Sequence, residues 1–121
     1  MDVLVAAGTV SIWVGRFGEE DALYDYVDFR YPSDGGWSPF TRDHGLDWVD
    51  EDFAEAAWWR EPYSFADHSY GDSFAPQADA DLAQWSSEVN SAYLLYDIDA
   101  RQLPRSETSP LTFLGAYHYR K

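Results

Sequence analysis

SAYLLYDI, Ser91–Ile98, decides the fold. It is a short run of apolar and aromatic residues with no glycine or proline inside it, and such a run is a strand. A second run, LTFLGAYHY (Leu111–Tyr119), follows after the polar, proline-containing loop Asp99–Pro110. In a strand of period two, its Leu111, Phe113, Gly115, Tyr117 and Tyr119 share one face. Two strands joined by one loop are expected to form an antiparallel pair.

Moving toward the N-terminus, TVSIWVG (Thr9–Gly15) has β-branched and aromatic residues and stops at glycine. It reads as a buried strand, with Val10, Ile12 and Val14 on one face and Ser11 and Trp13 on the other. Asp52–Arg60 mixes alanines with aromatics and suits either a helix or a strand. The strand is preferred, because aromatics end it and Pro62 follows. It would place Phe53, Glu55, Ala57 and Trp59 on one face, and Ala54, Ala56 and Trp58 on the other.

Helices fill the gaps. Glu19–Phe29 opens with three acids, which suit a helix N-terminus. It carries a stripe at Leu23, Tyr26, Val27 and Arg30. Tyr31–Pro39 is a loop. Ser38-Pro39 reads as an N-cap and first-turn pair for a short helix over Phe40–His44, with Gly45 closing it. Tyr63–Phe74 is turn-like. Ala78–Val89 reads as a helix with Leu82, Trp85 and Val89 on one stripe. The expected fold class is therefore α+β: one small domain with a mostly antiparallel sheet of about four strands and two or three helices packed on it. Residues 9–121 form that domain. Residues 1–8 read as an N-terminal extension, either loose or an extra edge segment.

Composition sets the limits on function. The chain has 121 residues, 45% hydrophobic and 18% aromatic, which is too rich in core formers for a disordered acidic tail. No cysteine is present, which excludes disulfides, thiolate metal sites and a cysteine nucleophile. The first residues lack a basic leader, and no window reaches the roughly 18 apolar residues of a membrane span. A cytoplasmic location is expected. Net charge is −14. Between Glu19 and Glu88 there are 18 acids and 3 arginines, so the acid excess lies wholly in that region. Such a field repels nucleic acid and anionic lipid, and speeds encounter with a basic partner.

Signatures of catalysis are missing. The three histidines, His44, His68 and His118, form neither HxH nor HExxH. There is no GxSxG and no phosphate-binding loop. Asp50-Glu51-Asp52, Asp79-Ala80-Asp81 and Asp97-Ile98-Asp99 lack the spacing and turn glycine of an EF-hand. These acids read as a solvated face. No metal site, no cofactor and no catalytic residue is expected. Recognition remains. Trp13, Phe53 and Trp85 read as core, whereas Trp37, Trp48, Tyr63 and Tyr70 sit in loop-like, acid-rich settings where a partner contact is as good a reading as a core contact.

Five segments in order carry a resemblance: VSIWVG (Val10–Gly15), GLDWVDEDFAE (Gly45–Glu55), YSFADHSYGDSF (Tyr63–Phe74), NSAYLLYDID (Asn90–Asp99) and LTFLGAYHY (Leu111–Tyr119). Together they resemble the immunity protein 22 family of bacterial polymorphic toxin systems. The most specific are the Trp-x-Gly strand end and the Gly-Leu-Asp-x-x-Asp-Glu-Asp-Phe run. Residues before Thr9 and the Gly35–Trp37 loop depart from the pattern. The resemblance implies an α+β fold and a cognate toxin encoded next door, often a nuclease or another nucleic-acid-modifying enzyme such as a deaminase. Because immunity proteins diverge fastest at the toxin contact, these motifs mark the fold more than the interface. The expected contacts are Asp47, Trp48, Asp50, Glu51, Asp52, Asp67, Tyr70 and Asp72, with the carboxylates pairing with toxin Lys and Arg and the aromatics anchoring. Two other functions fit the same composition: a small acidic metal-dependent hydrolase, or a non-catalytic structural or regulatory domain.

Overall fold

The computed structural model describes residues 5–30, 36–46, 53–85, 88–103 and 105–120. Among them the order is β1 (Val5–Gly15), α1 (Glu20–Val27), α2 (Pro39–His44), β2 (Ala54–Trp58), α3 (Gly71–Leu82), β3 (Ser91–Ile98) and β4 (Leu111–His118). Short 3₁₀ turns at Phe65–Asp67 and Ala83–Trp85 flank α3. The fold is α+β, with one open antiparallel sheet.

The sheet order is β2-β3-β1-β4. This corrects the expected pairing of the last two strands. β1 lies between them, antiparallel to both, with Trp13 opposite Tyr93 on one side and Phe113 on the other. Val10, Ile12 and Val14 of β1 are fully buried on one face, and Trp13 on the other. A strand apolar on both faces belongs at the centre of a sheet covered on both sides. The loop Asp99–Pro110 is long enough to carry the chain across it. β1 starts at Val5, so Val5–Gly8, read above with the extension, run in the sheet.

Each face has its own core. Against Val10, Ile12, Val14, Ala92, Leu94 and Tyr96 pack Phe74, Ala75, Ala78 and Leu82 of α3. Against Trp13, Tyr93 and Leu95 packs Phe40 of α2, with Tyr26 and Val27 of α1 beside it. Phe40 meets Trp13 edge-on at 4.9 Å and Tyr93 at 4.8 Å. The faces predicted for β2 hold: Phe53 and Trp59 pack on the α3 side, and Ala54 and Ala56 on the other.

α2 is capped as its sequence suggests. Ser38 Oγ accepts from the Thr41 amide at 3.0 Å, and the Ser38 amide donates back to Thr41 Oγ1 at 2.9 Å. Gly45 ends the helix at φ 70°, where a side chain would be strained.

Two other expectations need correction. α3 begins at Gly71 rather than Ala78 and runs through Pro76. An interior proline costs a helix about 3 kcal/mol. Burying Phe74 and Leu82 returns about 1.5–3 kcal/mol each, which offsets it. The helix also stops at Leu82, so Trp85 packs half-buried from a 3₁₀ turn. In β4 the predicted single face is split. Ile12 faces Gly115 but Trp13 faces Phe113, so Leu114 is an extra residue. A one-residue bulge exchanges the faces. Leu111 and Phe113 therefore join the α2 side, while Leu114, Tyr117 and Tyr119 join the α3 side.

Candidate functional site

At the end of the sheet where β2 begins and β4 finishes, the turn before α3 projects a cluster of rings. Tyr70 is its tip. It sits at φ 59° and ψ 18°, a left-handed conformation uncommon for a residue with a side chain. Gly71 explains why the turn is so tight. A Cβ there would collide with the Phe65 carbonyl oxygen and lie 2.6 Å from the Ala66 oxygen.

The Tyr70 ring is held while remaining 37% exposed. It stacks on Tyr119 at 5.2 Å and 25°, and stands edge-on to Tyr96 at 6.0 Å and to Phe53 at 6.3 Å. Asp67, three residues before it, and Asp72, two after it, are both exposed. Tyr70 and Asp72 line an open groove of about 370 Å³ with Ala66, His68, Gly71, Ser73 and Arg120. Arg120 brings a positive charge to this rim, and its amide donates to Ser73 Oγ at 2.9 Å.

Behind the rim lies a partly buried polar chain. The Glu55 carboxylate accepts from Ser69 through both its amide (3.2 Å) and its hydroxyl, and from Tyr96 OH at 3.3 Å. His68 Nδ1 lies 2.8 Å from Glu55, and His68 Nε2 is bonded to Tyr63 OH. Burial alone would raise the Glu55 carboxyl. The bonds from Ser69 and His68 outweigh it and hold the group below its ordinary range. An ionised Glu55 accepts a hydrogen bond from Nδ1–H, leaving Nε2 to accept from Tyr63 OH. Burial pushes the Tyr63 phenol well above its ordinary range, so it stays a donor. Both imidazole nitrogens are committed internally, and the His68 side chain is 10% exposed. It fixes the turn that carries Tyr70 to β2.

The other candidates separate. Asp47, Trp48, Asp50, Glu51 and Asp52 lie outside the described residues; the first described residue after them is Phe53, which stacks on Tyr96 at 4.9 Å. Tyr63 is part of the core, stacked on Trp59 at 3.9 Å. Trp37 is half-buried, with the Arg42 guanidinium 3.8 Å and the Arg30 guanidinium 5.2 Å from its ring. His44 is buried at the end of α2, 2.9 Å from Ser109 Oγ, and that hydroxyl also meets Tyr26 OH at 2.6 Å.

The Asp-x-Asp pairs are divided among structural tasks. Asp79 accepts from Ser64 OH and the Phe65 amide, and Asp81 from Tyr117 OH. Asp97 accepts from the Gly8 amide and Tyr119 OH, and Asp99 binds the Arg101 guanidinium. Among the described residues, no three acids or histidines come together as metal ligands.

The description Immunity protein 22 matches residues 10–120 of the sequence. The chain belongs to the Immunity protein 22 family. Neither a curated protein nor a solved structure matches it. Immunity protein 22 membership supports an immunity function and implies a cognate toxin protein as the partner. Tyr70 presents an exposed ring, and tyrosine is a favoured residue at protein interfaces in general. No helix among the described residues is long and apolar enough to cross a membrane.

Sequence reasoning selected Tyr70 for its acidic setting. It missed the support: Tyr96 and Tyr119 were read only as strand residues, and Glu55 only as a face marker. The period-two pattern had placed Phe53 and Glu55 on one side of β2, the signal that could have linked them to Tyr96.

Proposed function

We propose that the chain neutralises a nucleic-acid-acting toxin in the cytoplasm, a nuclease or related enzyme, without catalysis. It covers the toxin's basic active-site cleft with an acidic surface anchored by aromatic rings. Asp67, Tyr70 and Asp72 belong to that surface, and so do Asp47, Trp48, Asp50, Glu51 and Asp52. The carboxylates pair with toxin Lys and Arg, while the rings fill the recesses between them.

The observation that carries this reading is Tyr70, an exposed ring held in a left-handed turn between two exposed aspartates. Backbone strain of this kind persists where the surrounding structure enforces it, and it gathers at functional positions. The charge of −14 adds long-range attraction toward a basic cleft built to hold nucleic acid.

Co-expression with the toxin encoded next door tests it. Cells should survive, and the two proteins should elute together on gel filtration. Continued killing without a complex would sink the idea. Protection by a complex that leaves the toxin's active site open to substrate would refute the occlusion mechanism alone.

A further inference from the structure

The opposite end of the sheet carries a groove whose lining holds more arginine than acid. There, the end of β1 and the end of β2 meet the start of β3, with both Gly15 and Trp58 paired to Ser91. An open groove of about 640 Å³ runs between them, with Val89 and Asn90 in its lining. Its lining includes Arg16 and Arg60 and one acid, Glu61. In a chain of net charge −14 this local excess of positive charge is unusual.

The walls are built rather than incidental. Trp58 Nε1 donates to the Phe17 carbonyl at 3.0 Å, which fixes the indole. The Asn90 side chain bonds Phe17 at both its amide (2.9 Å) and its carbonyl (2.8 Å). Trp59 is stacked flat on Tyr63. The Arg60 guanidinium lies 5.1 Å from the Trp58 ring, which orients it while leaving its N–H donors open. Arg16 makes no hydrogen bond or ion pair with any described residue. A fixed apolar wall beside uncommitted guanidinium forks matches a carboxylate next to an apolar side chain.

We propose that this groove binds a peptide segment of a partner protein that carries a carboxylate flanked by apolar residues. Arg16 and Arg60 take the carboxylate, and Trp58 and Trp59 take the neighbouring side chain. Charge selects a peptide over nucleic acid. A polyanion would run from these two arginines into the acidic surface around them, whereas a short segment places one or two charges where the positive ones are. The groove and Tyr70 lie at opposite ends of the sheet, so the proposal does not depend on the neutralisation reading.

The test is an NMR titration of the full chain with a capped Leu-Asp-Phe-Glu peptide, and with its Leu-Asn-Phe-Gln counterpart. The acidic peptide should shift the Trp58 and Trp59 indole signals saturably. The amide peptide should bind about tenfold more weakly, as should the acidic one to Arg16→Gln/Arg60→Gln. Both positions are exposed, and an unchanged circular dichroism melt will show that the double variant folds. No shift, equal binding of the two peptides, or undiminished binding to the double variant would overturn the proposal. So would inorganic phosphate or short single-stranded DNA saturating the same signals more tightly than the peptide, since that would mark a general anion site.

Discussion

His68 Nδ1 lies 2.8 Å from a Glu55 carboxylate oxygen, joining the turn before α3 to the edge strand β2. Glu55 also accepts from Ser69 and Tyr96, so several donors converge on one side chain. Removing it breaks these bonds, and a hydrogen bond to a charged group is worth about 1.5–3 kcal/mol. Glu55→Ala should destabilise the fold by about 3 kcal/mol, and Glu55→Gln by about 1 kcal/mol, since the amide oxygen still accepts. Urea denaturation will measure both. An alanine variant within experimental error of wild type would show that the chain of bonds adds no stability.

Tyr70 separates binding from folding. Asparagine tolerates the left-handed region, so Tyr70→Asn keeps the turn and removes the ring. Losing the aromatic contacts should cost about 1 kcal/mol of stability. Toxin affinity should fall by about 2 kcal/mol, or roughly thirtyfold, if the ring is an anchor. Calorimetry against the toxin decides it, and unchanged affinity would remove Tyr70 from the interface.

Asp67 and Asp72 should act on rate. Exposed rim charges steer association more than they hold a complex. Asp67→Asn/Asp72→Asn should slow association severalfold at low salt and leave dissociation nearly unchanged. The difference should vanish near 1 M salt, where the screening length is about 3 Å. Stopped-flow traces across a salt series will show whether dissociation changes instead.

Stability should fall with acid over two pH ranges. Burial holds His44 below its ordinary 6.5, so the folded state keeps it neutral while the unfolded chain takes a proton. The stability tied to it is present above pH 6.5 and is lost as pH falls toward its lower folded value. Glu55 is also depressed, from an ordinary 4.5, so its contribution is present above that pH and is lost below it. Both slopes have the same sign. His44→Asn should flatten the upper part of the stability curve and Glu55→Gln the lower part. Chemical denaturation at intervals from pH 8 to 3 will test this.

The strands were legible because their residues are. β1 and β3 are apolar on both faces, and the capping residues around α2 act within one turn. Sheet order was hidden, because nothing local to Leu111–Tyr119 says that β1 occupies the place beside β3. The face exchange at Leu114 was hidden for a similar reason, since one extra residue leaves no mark on composition. The true start of α3 was hidden because packing of Phe74 and Leu82 overrides the local cost of Pro76. For the site, Tyr70 could be chosen from its acidic neighbours. Its left-handed backbone depends on the close approach of Gly71 to Phe65, which only the assembled chain displays.

The central position of β1 has a consequence for timing. Trp13 faces Tyr93 and Phe113, both far along the chain, so β1 is synthesised long before either neighbour exists. Contacts this distant in sequence form slowly. A nascent chain that has not yet extruded β4 leaves one edge of its most apolar strand without a partner. The sheet therefore closes only when the last strand has been made and docked, so the sequence order delays completion of the fold until β4 has emerged.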